Sequence, residues 1–214
     1  MNATEQTTET GAEQALPRAP VIVDKSFYSV FDALKWVSEA RSTDDTRFSM
    51  CGVSVESDGR VIATDGRRLH KLENMPAWAP GFYTVTTSAK QIVLQPADAR
   101  FPDWHAVMPK AKPQTTLELD ASENHNGLRD MTLGRIAVEL GLQLNTPEEK
   151  PAGECIIAPN AKQEMCYINL AFLKPLLGDS WHTSIWGNNK AVLFEHGDGQ
   201  SIRYTALVMP AQKG

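Results

Sequence analysis

No stretch of this 214-residue chain approaches the 18 consecutive apolar residues that a membrane-spanning helix needs. The first residues also lack the basic-then-apolar order of an export leader. The expectation is a cytoplasmic protein with no membrane partner. Cysteine is scarce: Cys51, Cys155 and Cys166 are odd in number and widely separated, so reduced thiols fit better than disulfides or a metal clip. Positive charge is not in excess, since 21 basic against 26 acidic residues leave a net charge of −5. That excludes a bulk-basic nucleic-acid binder but leaves a local basic face open.

Catalytic signatures are also missing. There is no P-loop, no Gly-x-Ser-x-Gly, and no His-x-x-x-His, Asp-x-Asp or Cys-x-x-Cys spacing. Asp65 and Asp103 with His70 or His105 would be the raw material of a metal-dependent hydrolase, but their spacing does not support one. No enzyme activity, cofactor or metal is expected. His70, His105, His125, His182 and His196 are scattered and read as surface residues. Five tryptophans raise base stacking on single strands as a weaker reading, although Trp36 and Trp104 sit in core-like patterns.

Hydrophobic residues make up 42% of the chain, enough for a core in one or two domains. Residues 1–20 lack apolar periodicity and read as a disordered tail. A short strand is expected at 21–23. An amphipathic helix, capped by Asp24 or Ser26, should follow to about Arg41. Phe27, Val30, Phe31, Leu34 and Val37 form its apolar stripe, and Asp32, Lys35, Ser38 and Glu39 lie opposite. A hairpin follows, with strands at 50–56 and 60–64 around Asp58-Gly59. Gly66 should supply a positive φ before a returning strand at Leu69. Further strands are expected at 82–85, 91–94, 115–119, 154–157 and 165–168, with a helical turn as the alternative for 91–94. Residues 135–144 read as a broken strand or a helix. Asn169 is expected to cap a short second helix burying Leu170, Leu173, Leu176 and Leu177, kinked by Pro175 and ended by Gly178. The last segment should be a three-strand meander over 181–209.

Three separated segments are the most specific feature. They are Val61-Ile62-Ala63-Thr64-Asp65-Gly66-Arg67-Arg68-Leu69, then Phe101-Pro102-Asp103-Trp104-His105-Ala106-Val107-Met108-Pro109, and at the end Tyr204-Thr205-Ala206-Leu207-Val208-Met209-Pro210. In this order the chain resembles the bacterial DNA sliding clamp, the beta subunit of DNA polymerase III, in a shortened and divergent form. The resemblance implies an α+β fold of antiparallel sheets with a few inner helices. The domains would be 21–109 and 110–214, or one enlarged unit over 21–214. It implies a processivity factor that encircles duplex DNA as a homo-oligomeric ring, assembled from several copies joined edge to edge. A polymerase or other replication protein would be held through a short linear motif, and a clamp loader is a further expected partner. A non-ring adaptor or decoy with the same pocket is the alternative. The short length points to a phage or mobile-element version.

The same resemblance places Met50, Thr64, Gly66, Arg67, Arg68 and Leu69 on one side of a peptide pocket. Pro102 and Val107 lie beneath it, and Leu207, Met209 and Pro210 lie opposite. It turns Lys25, Lys35, Arg41 and Lys174 toward DNA. Two departures mark the chain: Ala106 stands where the family has a second basic residue, and Arg67 where histidine is common.

Overall fold

Strand β3 (Val61–Thr64) is buried along its whole length, which happens only when both faces of a sheet are covered. Its side chains alternate. Val61 and Ala63 belong to one apolar cluster, Ile62 to another, and period-2 geometry places these clusters on opposite faces. The computed structural model describes residues 18–120, 142–143, 154–157, 166–169, 172–176, 179–186, 190–197 and 201–210.

Among these, one ten-stranded sheet carries most of the chain. Its strands are β1 (Val21–Asp24), β2 (Gly52–Val55), β3, β4 (Arg68–Glu73), β5 (Gly81–Thr87), β6 (Gln91–Pro96), β7 (Thr115–Asp120), β11 (Ser180–Ile185), β12 (Val192–His196) and β13 (Arg203–Val208). The order across the sheet is β1-β6-β5-β2-β3-β4-β13-β12-β11-β7, and each pairing is antiparallel. Strands β8 (Leu142–Gln143), β9 (Glu154–Ile157) and β10 (Cys166–Asn169) form a separate three-stranded sheet. The architecture is α+β and strand-dominated.

Residues 91–96 form a strand, so the helical-turn alternative there is set aside. Residues 135–140, most of the expected turns at 188–189 and 197–199, and the tail 1–17 lie outside the described residues.

The N-terminal half and the last strand share this sheet through β4 and β13. Arg68 to Glu73 pair with Val208 to Arg203 in strict antiparallel register. Helix α1 (Tyr28–Ser38) covers one face, burying Phe31, Ala33, Leu34 and Val37. The expected stripe needs two corrections. Phe27 is 67% exposed because it is the N-cap residue, outside the first turn. Ser38 is buried rather than on the polar face. Asp24 does not cap the helix: its carboxylate accepts from the Ser26 N–H at 2.9 Å and closes a local turn.

The expected second α-helix is a correction as well. Asn169 ends strand β10, and the following described segment holds only a 3-10 turn at Lys174–Leu176. A proline lacks the N–H and crowds the preceding turn, at about 3 kcal/mol in a helix interior. Two indoles take up the carbonyls that remain. The Trp36 Nε1–H donates to the Pro175 carbonyl at 3.0 Å, and the Trp181 Nε1–H to that of Leu176 at 2.8 Å. Leu173 and Leu176 are buried, as expected of their spacing; Leu170, Leu177 and Gly178 lie outside the described residues.

His70 is no surface residue. It is fully buried, stacked on Trp36 at 4.1 Å between ring centres. Its β-ladder neighbours are Ala63 and Ala206, small enough to leave room for the ring pair. Nδ1 lies 2.9 Å from the Trp36 carbonyl, so it carries the proton and donates it. Nε2 has no hydrogen-bond partner among the described residues. Burial pushes the pKa from 6.5 down to about 3, against the Trp36 hydrogen bond and with help from nearby Arg68.

The folded imidazole therefore stays neutral where the unfolded one charges. Stability from this group is unaffected above pH 6.5 and is lost as the pH falls from 6.5 toward 3. Urea unfolding of the wild type and His70→Leu should show a constant stability difference above that window. Within it the difference should move in the variant's favour by about 1.4 kcal/mol for each pH unit of acidification. A difference that does not vary with pH would count against a neutral buried imidazole.

Candidate functional site

The loop joining β3 to β4 is built around one carboxylate. Asp65 Oδ1 accepts from the N–H groups of Arg67 and Arg68, each at 2.9 Å, and Oδ2 pairs with Arg68 Nε at 3.1 Å. The Thr64 hydroxyl donates to the Arg68 carbonyl at 2.7 Å and accepts from the Gly66 N–H at 3.0 Å. Gly66 has φ +86°, a left-handed conformation that glycine adopts without strain. The C-terminal strand then locks on: the Met209 N–H donates to the Arg67 carbonyl at 2.8 Å.

The 101–109 segment lies against the sheet face away from α1. Asp103 caps a 3-10 turn at Trp104–Ala106 by accepting from the His105 N–H at 3.1 Å. Trp104 is the anchor. It is buried in a cluster with Ile62, Leu69, Leu193 and Leu207, and its Nε1–H donates to Glu56 at 2.7 Å. The cations of Arg60 and Lys71 lie 5.1 and 5.8 Å from its ring centre.

Between these parts opens a shallow groove, lined by Met50, Thr64, Gly66, Arg68, Leu69, Pro102, Asp103, Trp104, Val107, Leu207 and Met209. Period-2 alternation explains the meeting. Leu69 and Leu207 are direct ladder partners and point to the same face. Leu69 and Leu207 form the buried floor, and Val107 is 44% exposed on the wall. Met50 ends a 3-10 turn at Asp45–Met50, where a strand was expected, and this turn brings its thioether to the rim. Of the eleven candidate residues, Arg67 and Pro210 do not line the groove. Arg67 is exposed at the loop tip, and Pro210 follows the tail residue that does line it. Asp103 and Trp104 line it without having been singled out as site residues. The signal was present in the Phe-Pro-Asp-Trp run itself, since a proline wall residue brings its neighbours with it.

Arg68 is committed within the protein. Besides Asp65 it donates to the Glu39 carbonyl, and its guanidinium lies 5.0 Å from the Phe172 ring centre. It therefore gives the wall shape and positive charge while remaining tied at its far end. Asp65 is held in its own loop and His70 is turned into the core, which separates two members of the hydrolase grouping. No cluster of three potential metal ligands occurs among the described residues.

The candidate DNA-facing residues divide. Lys25 and Lys35 are exposed, before and on α1. Arg41 is half-buried and turned inward: Nε donates to the Ser38 carbonyl and Nη1 to that of Val85, both at 2.9 Å, and burial lowers its pKa. Three backbone acceptors, the third being Cys51 at 3.4 Å, leave it serving the fold rather than an outer face. Lys174 begins the 3-10 turn, and its side chain lies outside what is described. No described helix is long and apolar enough to cross a membrane.

Solved structures of similar fold are consistently bacterial sliding clamps. The DNA polymerase III beta subunit of Thermotoga maritima aligns with a TM-score of 0.57 at 15% identity, covering 96% of this chain and 69% of that one. The Pseudomonas aeruginosa subunit gives 0.56 at 18%, covering 94% and 69%. The Streptococcus pyogenes beta subunit gives 0.58 at 12%, covering 100% and 68%. No protein-family model and no curated protein matches the sequence. The chain has the sliding-clamp fold in a length about two thirds of these relatives.

The loop geometry carries its own test. A Cβ on Gly66 would meet only ordinary contacts, the nearest being Arg47 Nη1 at 3.6 Å. The cost of Gly66→Ala is therefore backbone strain, about 1–2 kcal/mol. Gly66→Asn should cost less, because asparagine tolerates the left-handed region. Chemical denaturation of the two variants checks the ranking, and equal stabilities would remove the requirement for positive φ.

Proposed function

We propose that this protein is a clamp-type docking subunit of DNA replication, not an enzyme, and that its groove accepts a short linear motif of a polymerase or another replication protein. The observation that carries the reading is the meeting of three remote segments around one apolar groove. The groove combines an apolar floor, two adaptable methionines and a rigid hydrogen-bonded rim, as suits Leu or Phe anchors of a peptide.

The same reading makes the chain part of a homo-oligomeric ring around duplex DNA. Closing such a ring requires copies to join edge to edge. Strands β1 and β7 are the outer strands of the ten-stranded sheet among the described residues. On β1, Ile22 is 65% exposed, and an unpaired edge with an exposed apolar residue favours pairing with another chain. Lys25 and Lys35 are the described candidates for non-specific phosphate contact, and Lys174 belongs with them in the proposal. Six domains in three copies is the expected ring.

Light scattering coupled to size-exclusion chromatography separates the ring from the adaptor. A closed oligomer near three copies is expected; a strict monomer at micromolar concentration favours an adaptor that uses the groove alone. For the groove, a fluorescent peptide ending in Leu-Phe should bind with micromolar affinity. Val107→Asp and Met209→Ala should each weaken it by about 2 kcal/mol. Both side chains are partly exposed, so the variants should still fold. Unchanged binding in both would remove the groove from the function.

A further inference from the structure

A second hollow opens on the α1 side of the sheet, away from the groove. It lies where the first turn of α1 meets the connection from β4 to β5 and the start of β13. Val30, Met75, Pro76 and Ile202 give it apolar walls, and His196 and Tyr204 give it a polar side. The donors at its rim are spent within the protein. His196 Nδ1 lies 2.8 Å from the Ser180 carbonyl, so it carries the proton and donates it. The Asn74 side-chain amide donates to the Ser201 carbonyl at 2.9 Å. What His196 and Tyr204 keep for a guest is acceptors, the Nε2 lone pair and the half-buried hydroxyl oxygen.

Two carboxylates stand beside the hollow. Asp179 Oδ1 is 3.8 Å from His196 Nε2, and Asp32 is three residues after the lining residue Ser29, on the next turn of α1. Burial pushes the pKa of the Tyr204 hydroxyl up, and the charges of Asp179 and Asp32 push it the same way. Arg203, next to Tyr204 in sequence, is turned to the opposite face by strand alternation and pairs there with Glu73 at 3.1 Å. The amino end of α1 opposes the acids, but with about half a positive charge against two whole negative ones. A guest must therefore bring donors, positive charge and a hydrocarbon arm. A guanidinium on its methylene stem brings all three, and its weakly hydrated plane can lie on the Tyr204 ring.

We propose that this hollow is a binding site for an arginine side chain presented by a partner protein. It is separate from the docking groove, so neither reading depends on the other. The net charge of −5 favours the approach of such a partner.

The test titrates the isotope-labelled full chain with acetyl-Gly-Arg-Gly-amide and follows the amide resonances of Val30, Met75, Ile202 and Tyr204. Saturable shifts at these residues with a millimolar Kd are expected, with the resonances of Leu69 and Met209 in the groove unmoved. Citrulline in place of arginine keeps the shape and loses the charge, and should bind about fivefold more weakly, the size of one good exposed ion pair. Asp32 is exposed, so Asp32→Lys should keep the fold and abolish the arginine shifts. The proposal is overturned if no resonance of the hollow moves at millimolar peptide, if the citrulline peptide matches the arginine one, or if Asp32→Lys binds as the wild type does. Tighter binding of acetyl-Gly-Asp-Gly-amide would overturn it too, by showing that the helix end decides the sign. Ethylguanidinium should bind more weakly than the tripeptide; equal binding would assign the site to a free small cation instead of a partner's side chain.

Discussion

The register of the last strand on β4 is the constraint on which the rest depends. Leu207 lies opposite Leu69, and Ala206 opposite His70. Those two adjacent pairs serve opposite faces of one sheet. One gives the groove its floor; the other leaves room for His70 to stack on Trp36 beneath the helix. A slip of one residue would exchange the faces, putting a leucine against the Trp36–His70 stack and an alanine under the groove. The Met209 N–H to the Arg67 carbonyl extends the same register past the end of the ladder. Core packing, loop and groove are thus set by one strand pairing, between residues 130 to 140 positions apart in sequence.

Much of this was legible in the chain. The hairpin at Asp58-Gly59, the positive φ at Gly66 and the final meander follow from local turn chemistry and period-2 patterning, which need no tertiary information. The meeting of residues 61–69, 101–109 and 207–210 was readable only through resemblance, because no local rule pairs segments so far apart. What escaped the sequence has physical causes. The leucine spacing after Asn169 fits a helix, but Pro175 and two tryptophan donors stabilise a 3-10 turn instead. His70 looked like a surface residue because the two alanines that make room for it lie on other strands. Arg41 looked like an outward charge because the carbonyls it serves belong to β5 and to the turn before β2.

Four arginines of the described region share a pattern. Arg18 donates to the Phe82 and Ala97 carbonyls, Arg41 to three carbonyls, Arg47 to Asp65 and Arg68 to Glu39. A guanidinium suits this work: it is planar, has five donors and is more weakly hydrated than an ammonium, so partial burial costs it less. Each of these arginines ties a loop, helix or strand end to backbone acceptors elsewhere in the fold. Arg67 stands apart from them in having only its backbone so employed.

Lysines take the complementary part. Lys25 and Lys35 are exposed, and the Lys25 N–H donates to the Lys90 carbonyl at 2.8 Å, which sets those two residues side by side at the β1–β6 end of the sheet. An ammonium on a flexible stem keeps most of its hydration and acts as a point charge rather than a fork. A face built from such groups, with Asp32 and Glu39 among them, would hold a phosphate backbone weakly and with strong dependence on salt. Under the proposed function that weakness is a requirement, because a subunit that must move along a duplex cannot fix its register by tight phosphate contacts. Under the proposed function, the inward Arg41 and Arg68 would serve a rigid docking groove and the outward Lys25 and Lys35 a loose, sequence-blind surface.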